Sequence, residues 1–319
     1  MTKLQRIILS NTPIPFLLKK SKSWYLPGFE GLALFDVIQF FRLQLRTHGL
    51  TERAAAISYN FIMAIPPSLL FFFTLIPSLP FVSKKMIKLQ LHNIIIDVIP
   101  NKIYNKQVIT FIDSFIDGTK FGLLSFGLLL TLFFASNGMM GIMRSFNKKY
   151  VGFQIRKGFE VRWIALRLTI LLFGLILAYL FLLILEGTFL KMAVKNTTLR
   201  EVIGYTRWIF IVILVYAIIG CIFMYAPAVR KKWRFTTAGS LLATLLSIAA
   251  SIGFAIFVNN FAKYNALYGS IGTVMMIMAL IYINSLALLI GFELNVSIHS
   301  LKVIAASRLA DEKIITNTV

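Results

Sequence analysis

The residue best placed to do chemistry is a glutamate at the end of a long apolar run. The stretch from Tyr268 to Asn295 reads YGSIGTVMMIMALIYINSLALLIGFELN, and Glu293 is its only charged residue. Tyr282 lies eleven residues earlier, about three helical turns, so both side chains share one helix face. Asn284 lies beside this polar stripe. The length of the run predicts that Glu293 lies at the inner membrane boundary, where gating or proton coupling is one interpretation of its role.

A structural role for Glu293 is the alternative. A carboxylate at the level of the lipid headgroups can pair with basic residues of the cytoplasmic loops. The expected partners are Arg144, Arg162 and Arg230.

Three other features of the apolar segments bear on function. Asn60 and Asn137 are further candidates for polar or gating roles. Pro66 and Pro67 remove backbone donors, so the first span is expected to be kinked or broken, beside either a cavity or packed neighbours. Close helix packing is expected at small residues, namely Gly138, Gly141, Gly269 and Gly272.

Catalytic patterns are absent from the sequence. His48, His92 and His299 are isolated from one another, Cys221 is the single cysteine, and the twelve acidic residues are scattered. Metal-dependent hydrolysis needs clustered histidines and carboxylates. Neither a glycine-rich phosphate loop nor a Gly-x-Ser-x-Gly elbow occurs. We therefore expect no enzyme, no metal and no cofactor.

Composition sets the fold class. The chain of 319 residues is 58% hydrophobic and 14% charged, with a mean hydropathy of +0.80, which is typical of a membrane protein. An α-helix needs roughly 20 apolar residues to cross the hydrocarbon. The sequence predicts an all-α polytopic protein, and its six charge-free intervals are 54–83, 121–143, 168–185, 208–229, 235–262 and 264–292.

Orientation follows from the loops between these intervals. Of the 33 Lys and Arg residues, 22 fall in alternate segments on one side and 11 on the other. The positive-inside rule therefore places both termini in the cytoplasm. The sharpest basic cluster comprises Arg230, Lys231, Lys232 and Arg234. It either fixes the topology or contacts anionic headgroups.

Outside the spans, two amphipathic helices are predicted. One lies within the cytoplasmic segment 1–53, with Leu34, Val37 and Phe41 on its apolar face, and is expected in the membrane interface. The other covers about 101–118 on the outer side, where Asp113 and Asp117 are expected to form a solvated face. The transmembrane domain covers 54–297, and 298–319 is expected to be a frayed cytoplasmic tail.

Four stretches carry a resemblance to a known family. They are AAAISYNFIMAIPPSLL at 54–70, ASNGMMGIMRSFNKKY at 135–150, YAPAVRKKWRFTTAGSLLAT at 225–244, and 265–295 with its YGS opening and GFELN end. The chain resembles the YihY/virulence factor BrkB family, formerly labelled ribonuclease BN-like. The family often has Trp before the mid-span Tyr, where this chain has Ile281. The resemblance implies a six-span protein of the bacterial inner membrane with a role in export or lipid handling, and it supplies no catalytic residues.

Three functions follow as expectations. The first is a transporter, exporter or lipid-handling protein of unknown substrate. The second is a membrane scaffold or partner-binding protein, because small-residue helix faces also mediate homo-oligomers. The third, a ribonuclease, has no residues in its favour. The expected partners are membrane lipids with anionic headgroups on the cytoplasmic side, and no nucleic acid is expected.

Overall fold

The fold is described from a computed structural model of the chain. It describes residues 24–25, 28–47, 49–75, 121–148, 150–154, 156, 158–193, 197–229, 232–260 and 264–318, together with 85, 88, 92, 106, 109, 110, 113 and 114. Seven helices have defined bounds in this part of the chain. They are α1 (Leu34–Thr47), α2 (Leu50–Leu75), α3 (Phe121–Phe146), α4 (Phe159–Ala193), α5 (Thr197–Tyr225), α6 (Ala238–Asn260) and α7 (Tyr264–Thr318).

The six long helices α2–α7 correspond to the six predicted intervals. In the described residues, five of them contain segments long and apolar enough to cross a membrane: Ser125–Phe146, Phe159–Tyr179, Trp208–Tyr225, Ala238–Val258 and Val274–Arg308. Helix α2 is not among these five, so six spans remain a prediction. The all-α class is confirmed, since the described backbone pairs as β-structure only at one isolated bridge, Phe153 with Val229.

The six long helices form a closed ring. Each of α2–α6 packs against the next helix in the chain, and α7 returns to pack against α2. Helix α1 lies outside the ring, against α7. Four of the five connections between these helices have 12 residues or fewer, which favours sequence neighbours side by side, whereas residues 76–120 separate α2 from α3.

One end of the ring contains most of the core, and we call it the basic end. It is where α2 and α4 begin, α3 and α5 end, and the loops 147–158 and 226–237 lie. Every helix of the ring contributes buried apolar side chains to one cluster there, including Ile57, Ile142, Leu168, Phe223, Ala243 and Phe292. Backbone contacts join its loops, since Gln154 N donates to Ala228 O at 2.7 Å.

The other end, the open end, is loosely packed. Residues 208–213 of α5 are all exposed, as are nearly all of 249–257 in α6 and 274–279 in α7. Six consecutive residues cover more than one full helical turn. Side chains that stay exposed over a full turn contact neighbouring helices little, so the described residues form little core towards this end.

Helix α1 confirms the predicted helix but not its expected setting. Its apolar face packs onto α7 rather than only against lipid, with Val37 fully buried in a cluster that includes Phe29, Leu294 and Ile298. Helix α7 therefore continues to Thr318, where a frayed tail from 298 was expected. Contact with α1 stabilises its first turns beyond residue 297, which sequence periodicity alone would not.

The proline pair does not break α2, which is one continuous helix through Pro66 and Pro67 to Leu75. Thr131 of α3 donates a hydrogen bond from its hydroxyl to the carbonyl oxygen of Pro67 at 2.7 Å. Tertiary packing of this kind lets a membrane helix tolerate proline. A break at this position is therefore not observed, and a kink in α2 packed against its neighbour stays a prediction.

Most of the predicted outer helix at 101–118, including Asp117, lies outside the described residues. Asp113 does not form a simple solvated face, because its Oδ1 lies 3.0 Å from His92 Nε2 and 3.7 Å from Lys88 Nζ. Its side chain is partly buried. Two neighbouring basic groups, rather than water alone, therefore surround this carboxylate.

Candidate functional site

A buried charged cluster lies at the centre of the basic end, and we call it the Glu293 cluster. It consists of Arg53 in the first turn of α2, Tyr150 in the loop after α3, and Glu293 in α7. Arg53 Nη1 donates to Glu293 Oε1 at 2.5 Å, and Tyr150 Oη donates to the same oxygen at 2.7 Å. Glu293 is 0% exposed, Arg53 6% and Tyr150 7%.

Aromatic side chains enclose this cluster. Phe292 stacks on Phe146 with ring centroids 3.7 Å apart and planes at 2°. Tyr150 meets the same Phe292 ring edge-on at 6.0 Å, and Phe153 and Trp233 pack around it. These rings bring large apolar areas against the charged atoms. The ion pair is therefore shielded from water and held in one geometry.

The two carboxylate oxygens of Glu293 differ in their hydrogen bonds. Glu293 Oε1 accepts two hydrogen bonds, whereas Oε2 is buried and has no hydrogen-bond partner among the described residues. Burial raises the pKa of the Tyr150 phenol well above its usual range, and the Glu293 charge raises it further. Tyr150 therefore stays protonated and remains a donor. Burying a carboxylate oxygen without a hydrogen-bond donor costs folding free energy. Such a group in a folded protein therefore needs an explanation, and a functional role is one.

The GFELN end of the apolar run has three separate roles. Gly291 lets α6 and α7 touch, because a Cβ atom there would lie 2.4 Å from the Gly239 carbonyl oxygen. Glu293 binds Arg53. Asn295 Oδ1 accepts from Gly239 N at 2.8 Å and its Nδ2 donates to Thr237 Oγ1 at 2.9 Å. Asn295 thus satisfies a free donor at the start of α6, where Thr237 Oγ1 also caps Ser240 N at 3.0 Å.

Glu293 does not have the partners that the sequence suggested. Arg162 Nη1 instead donates to Asn137 Oδ1 at 2.5 Å, Arg144 is exposed, and Arg230 lies outside the described residues. Its expected level at the inner membrane boundary stays a prediction, but its side chain is fully buried within the protein. The reason is that α7 crosses α2 at this point, so the first-turn arginine of α2, rather than a loop arginine, pairs with Glu293.

The other candidate polar residues do not join the cluster. Tyr282 is half-buried and packs against the apolar core. Asn284 Nδ2 donates to Leu280 O at 3.0 Å and lies 3.4 Å from Ser251 Oγ of α6. Asn60 Nδ2 donates to Ala56 O at 2.7 Å within its own helix. Between them and the cluster, Ser58 Oγ lies 3.2 Å from Ser285 Oγ.

The predicted packing glycines are placed as follows. A Cβ atom on Gly138 would lie 3.6 Å from the Phe61 ring, and one on Gly141 would lie 3.0 Å from Asn60 Nδ2. Both therefore lie in the α2–α3 interface. Gly272 is buried in α7, and Gly269 belongs to the same helix.

Two of the four residues in the predicted basic loop cluster lie among the described residues. Lys232 Nζ lies 5.0 Å from the centre of the Tyr225 ring, and Arg234 is exposed. Arg230 and Lys231 lie outside the described residues. In the part of the chain that the structure describes, no group of three His, Cys, Asp or Glu residues is arranged to hold a metal ion.

Sequence reasoning missed Arg53 and Tyr150. Arg53 is the last charge before the charge-free interval 54–83, and Tyr150 ends the NKKY motif. A cation at the mouth of one span and a glutamate at the same end of another was the available signal. This signal indicated that Arg53 and Glu293 lie at the same membrane level, but it did not indicate that they contact each other.

Comparison with known proteins places the chain in a family. Residues 42–313 match the model of the Virulence factor BrkB family, which includes the whole Glu293 cluster. The chain belongs to this family. The ribonuclease-like protein YfkH of Bacillus subtilis is 28% identical over 259 residues, covering 80% of this chain and 92% of YfkH.

Further relatives of this BrkB-family chain are membrane proteins. A UPF0761 membrane protein of Aeromonas salmonicida is 28% identical over 145 residues, covering 44% of this chain and 47% of that protein. Another, from Pseudoalteromonas translucida, is 29% identical over 84 residues, covering 26% and 28%. In these two relatives the match spans less than half of the protein. No solved structure matches the chain.

Proposed function

We propose that this BrkB-family protein is a transporter, exporter or lipid-handling protein of the bacterial inner membrane. Its six helices α2–α7 all span the membrane, with both termini in the cytoplasm. The ring provides the path for a solute or lipid, and the Glu293 cluster closes that path at the basic end. One observation carries the proposal: a fully buried ion pair lies where the ring is tightest, with one carboxylate oxygen lacking a donor among the described residues.

Stability alone does not account for such a pair. Replacing a buried ion pair by apolar side chains of similar volume is often neutral or stabilising by about 1–4 kcal/mol. Charged groups within membrane segments are rare and typically mark pathways for ions, protons or substrates. Arg53 and Glu293 lie on α2 and α7, the two helices whose contact closes the ring. Their pairing is therefore suited to be made and broken as the ring closes and opens.

The shape of the ring supports a path. Apolar side chains from every ring helix meet at the basic end, whereas nearly all residues of 208–213, 249–257 and 274–279 are exposed towards the open end. This difference supports a ring that is closed at one end and widens towards the other. Loop charges favour a cytoplasmic position for the basic end, so the proposed path opens away from the cytoplasm in this conformation.

The first experiment identifies candidate transported compounds. Metabolite and lipid profiles of cells and medium, with and without the gene, should reveal compounds that change. Those compounds are then offered to purified full-length protein in vesicles. We expect movement of at least one of them, and no movement across a broad panel would contradict the proposal.

A paired variant separates transport from folding. In Arg53→Met/Glu293→Met both charges are replaced by apolar chains of similar size, so the protein should fold. We expect its flux to fall at least tenfold. The matched control is Glu30→Gln/Lys302→Gln, which removes an exposed ion pair and should transport normally. Full flux in the first variant would assign the cluster a structural role only.

We also propose that the chain is not a ribonuclease, although one relative has a ribonuclease-like name. The three histidines of the sequence are far apart along the chain. Purified protein incubated with RNA should leave it intact. Cleavage that disappears in the Arg53→Met/Glu293→Met variant would overturn this part of the proposal.

A further inference from the structure

A large groove lies between α1 and the final part of α7, outside the ring and away from the Glu293 cluster. Its volume is about 1100 Å³. Apolar side chains from both helices line it, among them Phe40, Leu43, Leu301 and Ile304. Leu43 is 57% exposed although it lies beside other apolar groups. An apolar groove of this size left open to water would be unfavourable, so it needs an apolar occupant.

The rim of the groove is cationic. Arg42 and Arg46 are one helical turn apart on α1, and Arg308 faces them from α7. Asp36 is the single acidic residue among the lining residues that the structure describes. Among the side chains with a described placement, which end at Arg308, none of these three arginines takes part in an ion pair. Guanidinium groups bind phosphate oxygens with two parallel hydrogen bonds.

The groove lies at the level of the lipid headgroups in the membrane leaflet at the basic end, which we call the basic leaflet. The apolar stretch Val274–Arg308 has 35 residues, about 50 Å of helix at 1.5 Å per residue, against a hydrocarbon thickness of about 30 Å. The excess lies on the Arg308 side, because α7 already begins at Tyr264 on the opposite side and roughly 20 residues suffice to cross the hydrocarbon. Leu301 to Arg308 therefore extend beyond the hydrocarbon, where lipid headgroups lie.

We propose that this groove is a binding site for one anionic phospholipid of the basic leaflet. The acyl chains cover Leu43, Leu301 and Ile304, and the headgroup phosphate is bound by Arg42, Arg46 and Arg308. Both halves of the ligand are needed, because the groove combines an apolar floor with a net positive rim. The proposal does not depend on the transport function.

The test is native mass spectrometry of the full-length protein in detergent, with phosphatidylglycerol and phosphatidylcholine as the added lipids. We expect one phosphatidylglycerol to be retained at least fivefold more tightly than phosphatidylcholine. The triple variant Arg42→Gln/Arg46→Gln/Arg308→Gln should lose this preference. Glycerol phosphate, which has the phosphate without acyl chains, should not compete at millimolar concentration.

A matched control has the same change of charge elsewhere at the basic end. Arg144, Lys148 and Arg167 are exposed and outside the groove, so their triple change to Gln should leave the lipid preference intact. An equal loss in both triple variants would show a general charge effect and overturn the site. So would competition by glycerol phosphate, or the absence of any preference in the wild-type protein.

A second copy of the chain is the competing occupant, and the same spectra distinguish it. If the groove joined two copies, the wild-type protein would appear as a dimer and Leu43→Glu would convert it to a monomer without altering lipid binding. That result would overturn the proposal. We expect instead that Leu43→Glu abolishes retention of phosphatidylglycerol and leaves the mass of the protein assembly unchanged.

Discussion

The two ends of the helix ring are built from the same six helices but in opposite ways. In α6, buried residues recur along 239–247, whereas nearly all of 249–257 are exposed. In α7, residues 285–298 are almost all buried, whereas 274–279 are almost all exposed. Mean hydropathy does not distinguish these halves, because both are apolar. Only contact between helices makes one half a core and leaves the other exposed.

The α6–α7 crossing shows how the basic end achieves its contact. Gly239 and Gly291 face each other so closely that a Cβ on Gly239 would lie 2.1 Å from the Gly291 carbonyl oxygen. Further along α6, a Cβ on Gly253 would meet nothing within 4 Å. Small residues permit close approach in membranes, but here only one glycine of α6 is used in that way. Changes at matched positions can therefore test the difference between the two ends.

The largest effect is expected from removing an aromatic ring at the basic end. Phe292→Ala deletes a fully buried ring that stacks on Phe146 and should cost about 3–5 kcal/mol of unfolding free energy. At the open end, Phe210→Ala removes an exposed ring and should cost less than about 0.5 kcal/mol. Thermal unfolding in detergent measures both. Similar losses would contradict the described asymmetry.

A comparable effect is expected from unpairing the buried ion pair. Arg53→Met leaves the Glu293 carboxylate buried without its counter-ion and should cost about 3–5 kcal/mol. The double variant Arg53→Met/Glu293→Met should recover most of this loss, because no charge then remains buried. Chemical unfolding followed by tryptophan fluorescence tests the pair. A double variant as unstable as the single one would refute the electrostatic explanation.

A smaller effect is expected from adding one methyl group to the helix crossing. Gly239→Ala places a Cβ against the backbone of α7 and should cost about 1–3 kcal/mol, because the two helices must separate. Gly253→Ala lies on the same helix in open space, so it should be neutral or slightly stabilising. The melting temperatures of the two variants measure this difference in stability. If both changes were neutral, α6 and α7 would not be in close contact.

The smallest effect concerns the phenol of the Glu293 cluster. Because burial raises the pKa of Tyr150 in the folded protein, its contribution to stability is fully present below the unfolded pKa of about 10 and decreases at higher pH. Wild type should therefore lose about 1 kcal/mol more than Tyr150→Phe between pH 9 and pH 11. Urea unfolding at both pH values measures the difference. Parallel pH profiles would show that Tyr150 is accessible to water.

The sequence by itself determined the elements of this protein. Long charge-free intervals predicted the six long helices, because only apolar helices of that length suit a bilayer. The YGS and GFELN ends indicated the family, and the family match to residues 42–313 confirms it. The amphipathic pattern of 34–47 likewise predicted α1. These properties depend on local composition and period, which the order of residues encodes directly.

Only the tertiary structure decided which charged groups meet. Glu293 could be assigned to one membrane end from its place in the run, but not to Arg53, which is 240 residues away along the chain. That contact depends on α7 closing the ring against α2, and helix order around a ring is not encoded in any single segment. The same holds for Pro66 and Pro67, because α2 continues through them while packed against α3, where Thr131 donates to the Pro67 carbonyl oxygen. Long-range pairing therefore puts a carboxylate that was expected at the inner mouth, beside loop arginines, at the buried centre of the basic end.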